Sequence, residues 1–281
     1  MADIRPSPIA GTWYPGNPKV LALSIDHYLQ TVERERIEGE IYGIITPHAG
    51  HRYSGAVAAY AFRHLQDLEP QTVAVLSPLH SPHNAKLLTT AHTAYETPLG
   101  SIDIDVELLN QFEETLRDDW GLEVERVRAD NEHALEIELP FIQRCFTHSY
   151  KLLPLMLRDQ SESTAKAVGF SLANTLKGSK AIIIGSTDLS HFYSQETAER
   201  LDGEMLSRLE AFDPSAIIAA EDEGVGFACG RGAMAASLWA AQELGADSVN
   251  VVKYATSGAV TGDFRSVVGY GAAVIYRKAK H

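Results

Sequence analysis

The chain has 281 residues, of which 45% are apolar, 22% charged and 8% aromatic, with 21 Gly and 12 Pro, a mixture that excludes disorder, collagen and coiled coil. Twenty-four basic against 37 acidic residues leave a formal charge of −13, which repels a phosphate backbone and argues against a nucleic-acid partner. Two cysteines, Cys145 and Cys229, are too few for a disulfide framework and fit a reducing compartment. The opening MADIRPSPIAGTWYPGNP lacks the apolar run of a signal peptide, and no stretch of about 18 apolar residues follows it. A cytoplasmic protein with no membrane contact is expected.

Taken in chain order, a short Ile-rich run at 42–46 reads as a buried strand and 55–65 as a helix. A strand at 73–77 follows, then helical periods at 106–116 and 132–146, a strand at 151–157, a helix at 162–176 and a strand at 181–186. Two helices at 197–211 and 231–244 precede strands at 249–256 and 267–276, each strand being a continuous apolar run of the kind buried on both faces. The alternation predicts an α/β fold, a mostly parallel sheet flanked by helices on both faces. The acidic stretch 111–125 reads as a solvated helix face and loop. With no linker, charge run or repeat to divide it, the chain is expected to form one domain spanning 1–281.

Ligands of open α/β sheets bind outside the carboxyl ends of the strands, and three of those ends are distinctive. The first runs into Thr46-Pro47-His48-Ala49-Gly50, the second into Ser77-Pro78-Leu79-His80, and the fourth into Ser186-Thr187-Asp188-Leu189-Ser190-His191. Three strands thus deliver a histidine to one edge. Imidazoles ligate iron, zinc and copper, and a carboxylate or thiolate can complete such a site, so Asp188 and Cys229 are both candidates for a third ligand. Cys229 lies in a glycine-rich turn ahead of the 231–244 helix, where the helix N-terminus and Arg231 would favour the thiolate. Cys145, among Leu139, Ile142 and Phe146, reads as core. Asp188 could also orient His191 as an acid or base near neutral pH. His133 and Glu136, at i, i+3 spacing, would share a helix face and support the ligands from behind. His51, His64, His83, His92 and His148 have no partner at a recognisable spacing. Gly269-Tyr270-Gly271 inside a strand suggests close packing. There is no P-loop, dinucleotide fingerprint or CxxC pair.

Together, Ala10-Gly11-Thr12-Trp13-Tyr14-Pro15, the three strand ends, Glu132-His133-Ala134-Leu135-Glu136 with Leu139-Pro140, and Cys229-Gly230-Arg231 resemble the Memo family. Its bacterial and archaeal members are also called AmmeMemoRadiSam system protein B, and the resemblance runs from about residue 5 to residue 276. It implies a fold similar to the class III extradiol dioxygenases, non-haem iron enzymes that open catechol rings. In that comparison His48 and His80 fall on the two metal-binding histidines, His191 falls on the acid/base histidine, and Cys229 stands where those enzymes have a carboxylate ligand. The animal relative is described as a signalling scaffold and as a binder of iron or copper with a redox role. After Arg231 this chain has Gly232-Ala233 where the animal relative has His-Pro. The resemblance therefore implies one metal ion, iron first with copper or zinc as alternatives, held by His48, His80 and Cys229, and Asp188 orienting His191. A redox or oxygenase-type activity on an unknown substrate would follow. Two other readings are a non-catalytic protein binding a peptide or small molecule in the same cleft, and a metal-dependent hydrolase, since a metal-bound water beside an acid/base histidine suits hydrolysis.

Overall fold

The structure, a computed structural model, describes residues 3–128 and 130–279. In chain order the elements are β1 (Ile4–Arg5), α1 (Pro18–Thr31), β2 (Gly39–Thr46), α2 (His51–Phe62), β3 (Thr72–Pro78), β4 (Leu87–Thr90), β5 (Ala94–Thr97), β6 (Gly100–Asp103), α3 (Val106–Trp120), β7 (Val124–Val127), α4 (Leu139–Cys145) and β8 (Lys151–Leu157). They continue with α5 (Glu162–Leu176), β9 (Ala181–Ser186), β10 (His191–Tyr193), α6 (Gln195–Glu210), α7 (Pro214–Asp222), α8 (Arg231–Leu244), β11 (Ser248–Thr256), α9 (Gly258–Thr261) and β12 (Val267–Lys278). Local chemistry marks the helix starts: the side chains of Asn17, Asp105, Ser161, Ser194 and Asp213 each accept a backbone N–H of the first turn, satisfying donors that the helix itself cannot.

The main sheet has the order β10-β12-β2-β9-β3-β8-β4-β7, with β11 paired to β12 off this path. Its centre, β2-β9-β3-β8, is parallel throughout, as the continuous apolar runs require. Antiparallel pairs of β12 with β2, β11 and β10, and of β4 with β8, make the whole sheet mixed. A separate small sheet, β1-β5-β6, ties down the N-terminal segment. Consecutive residues Ile44 and Ile45 of β2 enter two different apolar clusters, because alternate side chains leave opposite faces of a strand and helices cover both. The α5–α8 crossing is close enough to need a glycine: a Cβ on Gly169 would lie 2.7 Å from Trp239 Cβ and 2.8 Å from the Ala236 carbonyl oxygen.

The helix expected at 132–146 is shorter. Glu132 and His133 lie in a loop, Glu136–Glu138 form one 3-10 turn, and α4 begins at Leu139 with Pro140 in its first turn. Proline has no N–H for an interior helix bond and is tolerated only at such a start. Conversely, α3 runs on to Trp120 and closes on Gly121 at φ 64°. Among the described residues no helix is long and apolar enough to cross a membrane.

Candidate metal centre

Because β9 lies between β2 and β3, the loops leaving these three strands are neighbours, and the turn ahead of α8 closes over them. His48 is buried, with Nδ1 3.1 Å from Ser186 Oγ and Nε2 3.1 Å from Cys229 Sγ. His80 has its Nδ1 2.9 Å from Glu132 Oε1, which leaves Nε2 free. The ligand atoms of His48, His80 and Cys229 lie within 4.8 Å of one another. Adjacent ligands on one small ion are about 3.5 Å apart for zinc-like bond lengths, so the three donors fit a single ion with small shifts. Gly230 makes the approach possible, since a Cβ there would sit 2.5 Å from the Ser186 carbonyl oxygen. Cys229 is then pinned from both ends: its N–H donates to the Asp188 carbonyl at 3.2 Å, and its sulfur accepts the Asp188 N–H at 3.3 Å.

Hydrogen bonding sets the tautomer of His48. Burial pushes the Glu138 carboxyl well above its ordinary value. Ser186 Oγ directs its single proton at the Glu138 carboxyl, 2.6 Å away, and the Ala134 carbonyl, 2.8 Å away. Its oxygen therefore accepts the Nδ1–H of His48, which directs the Nε2 lone pair toward Cys229. Burial first, then the neighbouring His80, His133 and His191, hold the His48 imidazole well below its usual value, keeping it neutral as a ligand must be. Burial and the charge of Asp188 push the Cys229 thiol up, so a thiolate here needs a cation beside it.

Glu132 supports His80. Its Oε2 accepts the His80 backbone N–H at 2.6 Å, and its Oε1 accepts His80 Nδ1 and the N–H groups of His133 and Ala134, each at 2.9 Å. Burial opposes ionisation, yet these donors hold the Glu132 carboxyl below its ordinary value. Both oxygens are thus occupied. Glu132 thereby orients His80, and it also groups with His80 and His133 at metal-binding spacing. The His133 ring stacks on His80, with centroids 4.7 Å apart, and lies tilted against Trp13 at 4.1 Å. Burial drives it down to about 4, against the pull of Glu132.

Several sequence expectations are corrected here. Asp188 does not hold His191: its carboxylate accepts the His48 N–H at 2.8 Å, and burial raises it to about 7. His191 Nδ1 instead donates to the Leu189 carbonyl at 2.7 Å, and burial lowers its imidazole pKa. His133 and Glu136 share no face, because Glu136 sits in the 3-10 turn and faces away, accepting from Arg5 at 2.6 Å and Tyr14 at 2.8 Å. Arg231 lies on Glu221 and Asp222, so it pairs with carboxylates rather than with Cys229. Cys145 is buried with its thiol on the Phe62 carbonyl, as expected for core. The strand glycines pack closely too: a Cβ on Gly269 would lie 1.9 Å from Asp202 Oδ2. Glu132, Ser186 and Glu138 were not singled out from sequence. Glu132 and Ser186 do stand in the quoted motifs, but residue type alone assigned them no role.

A larger hollow of about 500 Å³ opens by the amino ends of β2 and β9, with Gly39, Glu40 and Ala181 in its wall. Among the described residues no histidine or cysteine lines it, and it lies at the opposite ends of the strands.

Residues 5–274 match the family model described as Memo-like protein. The chain belongs to the Memo-like family. It is 34% identical over 274 residues to a MEMO1 family protein of Nitrosopumilus maritimus (strain SCM1), covering 96% of this chain and 98% of the relative. It is also 34% identical over 276 residues to one from Methanothermobacter thermautotrophicus, covering 95% and 98%. Among solved structures it is similar to uncharacterized protein JW3007 from Escherichia coli K12, with a TM-score of 0.49 and 12% identity over 83% of this chain and 99% of that one.

Proposed function

We propose that this Memo-like protein is a metal-dependent redox protein of oxygenase type, in which His48, His80 and Cys229 hold one ion, iron first with copper or zinc as alternatives. The observation that carries the reading is the convergence of two imidazole nitrogens and a thiol within 4.8 Å, each imidazole having its far nitrogen tied by Ser186 or Glu132. When bound, the ion would supply open coordination positions for electron transfer or oxygen chemistry, and the soft sulfur would tune its preference away from that of an all-oxygen and nitrogen site.

The chain's own residues do the rest. The His80 side chain is 39% exposed, so the centre is reached from that side. His191, neutral and with Nδ1 donating to Leu189, keeps Nε2 free to take a proton from a bound molecule and return it. The Phe227 ring meets that of His191 edge-on, with centroids 5.7 Å apart. Asp188, fixed on the backbone of His48, holds the metal-side loop in register.

Anaerobic reconstitution with Fe(II), Cu(I) and Zn(II), followed by desalting and elemental analysis, tests this reading. The native chain is expected to retain one equivalent of one of these metals, and X-ray absorption is expected to place a sulfur in its coordination shell. If the native chain retains no metal more tightly than the His48→Ala, His80→Ala double variant, the reading is wrong.

A further inference from the structure

Asp188, the aspartate nearest to His191 in sequence, holds His48 instead. A second aspartate is better placed. Asp202, in α6, is fully buried; its Oδ1 accepts the backbone N–H of Ser190 at 2.8 Å, and its Oδ2 accepts the Tyr254 hydroxyl at 2.7 Å. Burial pushes the Asp202 carboxyl above its ordinary value, against the pull of these two donors. Burial and the neighbouring Asp202 push the Tyr254 phenol up in turn, so Tyr254 remains the donor of the pair. Both of these donors are neutral, and a carboxylate kept in the interior by neutral partners is costly. Room for it is made by β12, where a Cβ on Gly269 would collide with Asp202 Oδ2.

The N–H that Asp202 holds belongs to the peptide unit joining Leu189 to Ser190, and the carbonyl of that same unit accepts the His191 Nδ1–H at 2.7 Å. A trans peptide is planar, with its N–H and C=O pointing in opposite directions, so an acceptor fixed on one side aims the carbonyl on the other. The backbone of Gly269 ties the units before and after it, accepting the Leu189 N–H and donating to the Ser190 carbonyl, each at 2.9 Å. The unit between those two ties is the one that supports His191, and Asp202 is the group that stops it from turning.

We propose that Asp202 is a positioning residue for His191, acting through the Leu189–Ser190 peptide to hold the imidazole as its Nδ1–H tautomer with Nε2 free. Carboxylate, peptide and imidazole form a chain of two hydrogen bonds, and a charge at one end of such a chain polarises and strengthens the bonds along it. The tautomer of a histidine is set by the bond that its other nitrogen makes, so the aspartate selects the nitrogen that faces the centre without touching the ring. The use of Nε2 in proton transfer rests on the metal-dependent reading; the hold on the ring does not, and its test needs no metal.

The full-length chain, labelled with heavy nitrogen at histidine and stripped of metal by chelator, is measured by long-range proton–nitrogen NMR at about pH 8, where a histidine is neutral. The spectrum reads the ratio of Nδ1–H to Nε2–H forms, and loss of a signal in His191→Gln identifies the residue. Native His191 is expected to be mainly the Nδ1–H form. Asp202→Asn, which keeps an acceptor but not the charge, should lower the ratio about twofold. Asp202→Ala, which frees the peptide to turn, should lower it about three- to tenfold, while the exposed His27 stays unchanged in both. Tyr254→Phe removes the other partner of the carboxylate and keeps the Ser190 bond, so the ratio should stay native even as stability falls. A native His191 that is mainly the Nε2–H form overturns the proposal, as does a native ratio in every folded Asp202 variant. A Tyr254→Phe ratio displaced as far as that of Asp202→Ala also overturns it, since general loosening would then account for the effect. If Asp202→Ala does not fold, the comparison of the native chain with Asp202→Asn decides alone. The expected ratios in a chain that retains no metal in the reconstitution experiment would sustain the role of Asp202 and remove only the proton transfer assigned to Nε2.

Discussion

Replacing Glu132 by glutamine changes one atom and separates two roles of this residue. The carboxylate accepts four N–H groups, three on Oε1 and one on Oε2. Glutamine has a single carbonyl oxygen. Kept at the Oε1 position it retains three of those bonds, and its NH₂ then meets the His80 backbone N–H, donor against donor, at a cost of about 1–3 kcal/mol in folding stability. The second effect is on metal. A neutral amide oxygen draws on the Nδ1–H of His80 less strongly than a carboxylate, so Nε2 becomes a weaker base, and weakening such a partner typically lowers metal affinity by up to about 10–100-fold. Urea unfolding of the metal-free chain reads the first quantity, and Zn(II) competition against a chromophoric chelator reads the second. Glu132→Gln is expected to move both. A zinc affinity within twofold of the native value, alongside reduced stability, would refute the assignment of Glu132 as the group that sets His80 for metal and leave it a loop fastener.

Three further outcomes are expected. His51 is buried and burial lowers it to about 4 from an ordinary 6.5; the unfolded chain therefore binds more protons between these values, and stability falls as pH drops from about 6.5 toward 4, by up to about 3 kcal/mol. Urea unfolding between pH 7 and pH 4.5 checks this, and a His51→Phe variant with an unchanged pH slope would contradict it. Gly230→Ala sets a Cβ 2.5 Å from the Ser186 carbonyl oxygen and 2.9 Å from Thr187 Cβ, which should cost about 1–3 kcal/mol and lower the melting temperature by several degrees; a native melting curve would show that the turn has room. Arg5→Met leaves the carboxylates of Asp130 and Glu136, each within 2.6 Å of the buried guanidinium, without their counter-charge, at an expected cost of about 3–5 kcal/mol in denaturant unfolding. Retention of native stability would mean that water reaches this cluster.

The parallel centre was legible in sequence because β3, β8 and β9 are buried along nearly their whole length, and a strand covered on both faces must be written as an unbroken apolar run. By contrast β4 to β7 have four residues each, with sequences such as GSID and VERV. Such short, partly polar strands are specified by their partners, and no periodicity exists over four residues. The convergence of His48 and His80 could be read from which residues follow each strand, and Cys229 joined them through its turn ahead of a helix and the family resemblance. Their supports could not. Asp188 and His191 are close in sequence, but Asp188 lies in a loop and His191 opens β10, so their spacing does not fix side-chain direction, and the N–H that Asp188 accepts belongs to the neighbouring strand's loop. Glu132 and Ser186 act through hydrogen bonds to residues 52 and 138 positions away, distances at which only the folded sheet brings the partners together.

The contact between His48 and Cys229 spans 181 positions, and its formation waits on β2, β3, β9 and the turn before α8 all being in place. Loop closures of that span come late in folding and make it slow. Metal capture at this centre would therefore mark the end of chain assembly. A nascent or truncated chain ending before Cys229 would expose two histidines to metal without the thiol that completes the set, so maturation by metal insertion would belong after synthesis rather than during it.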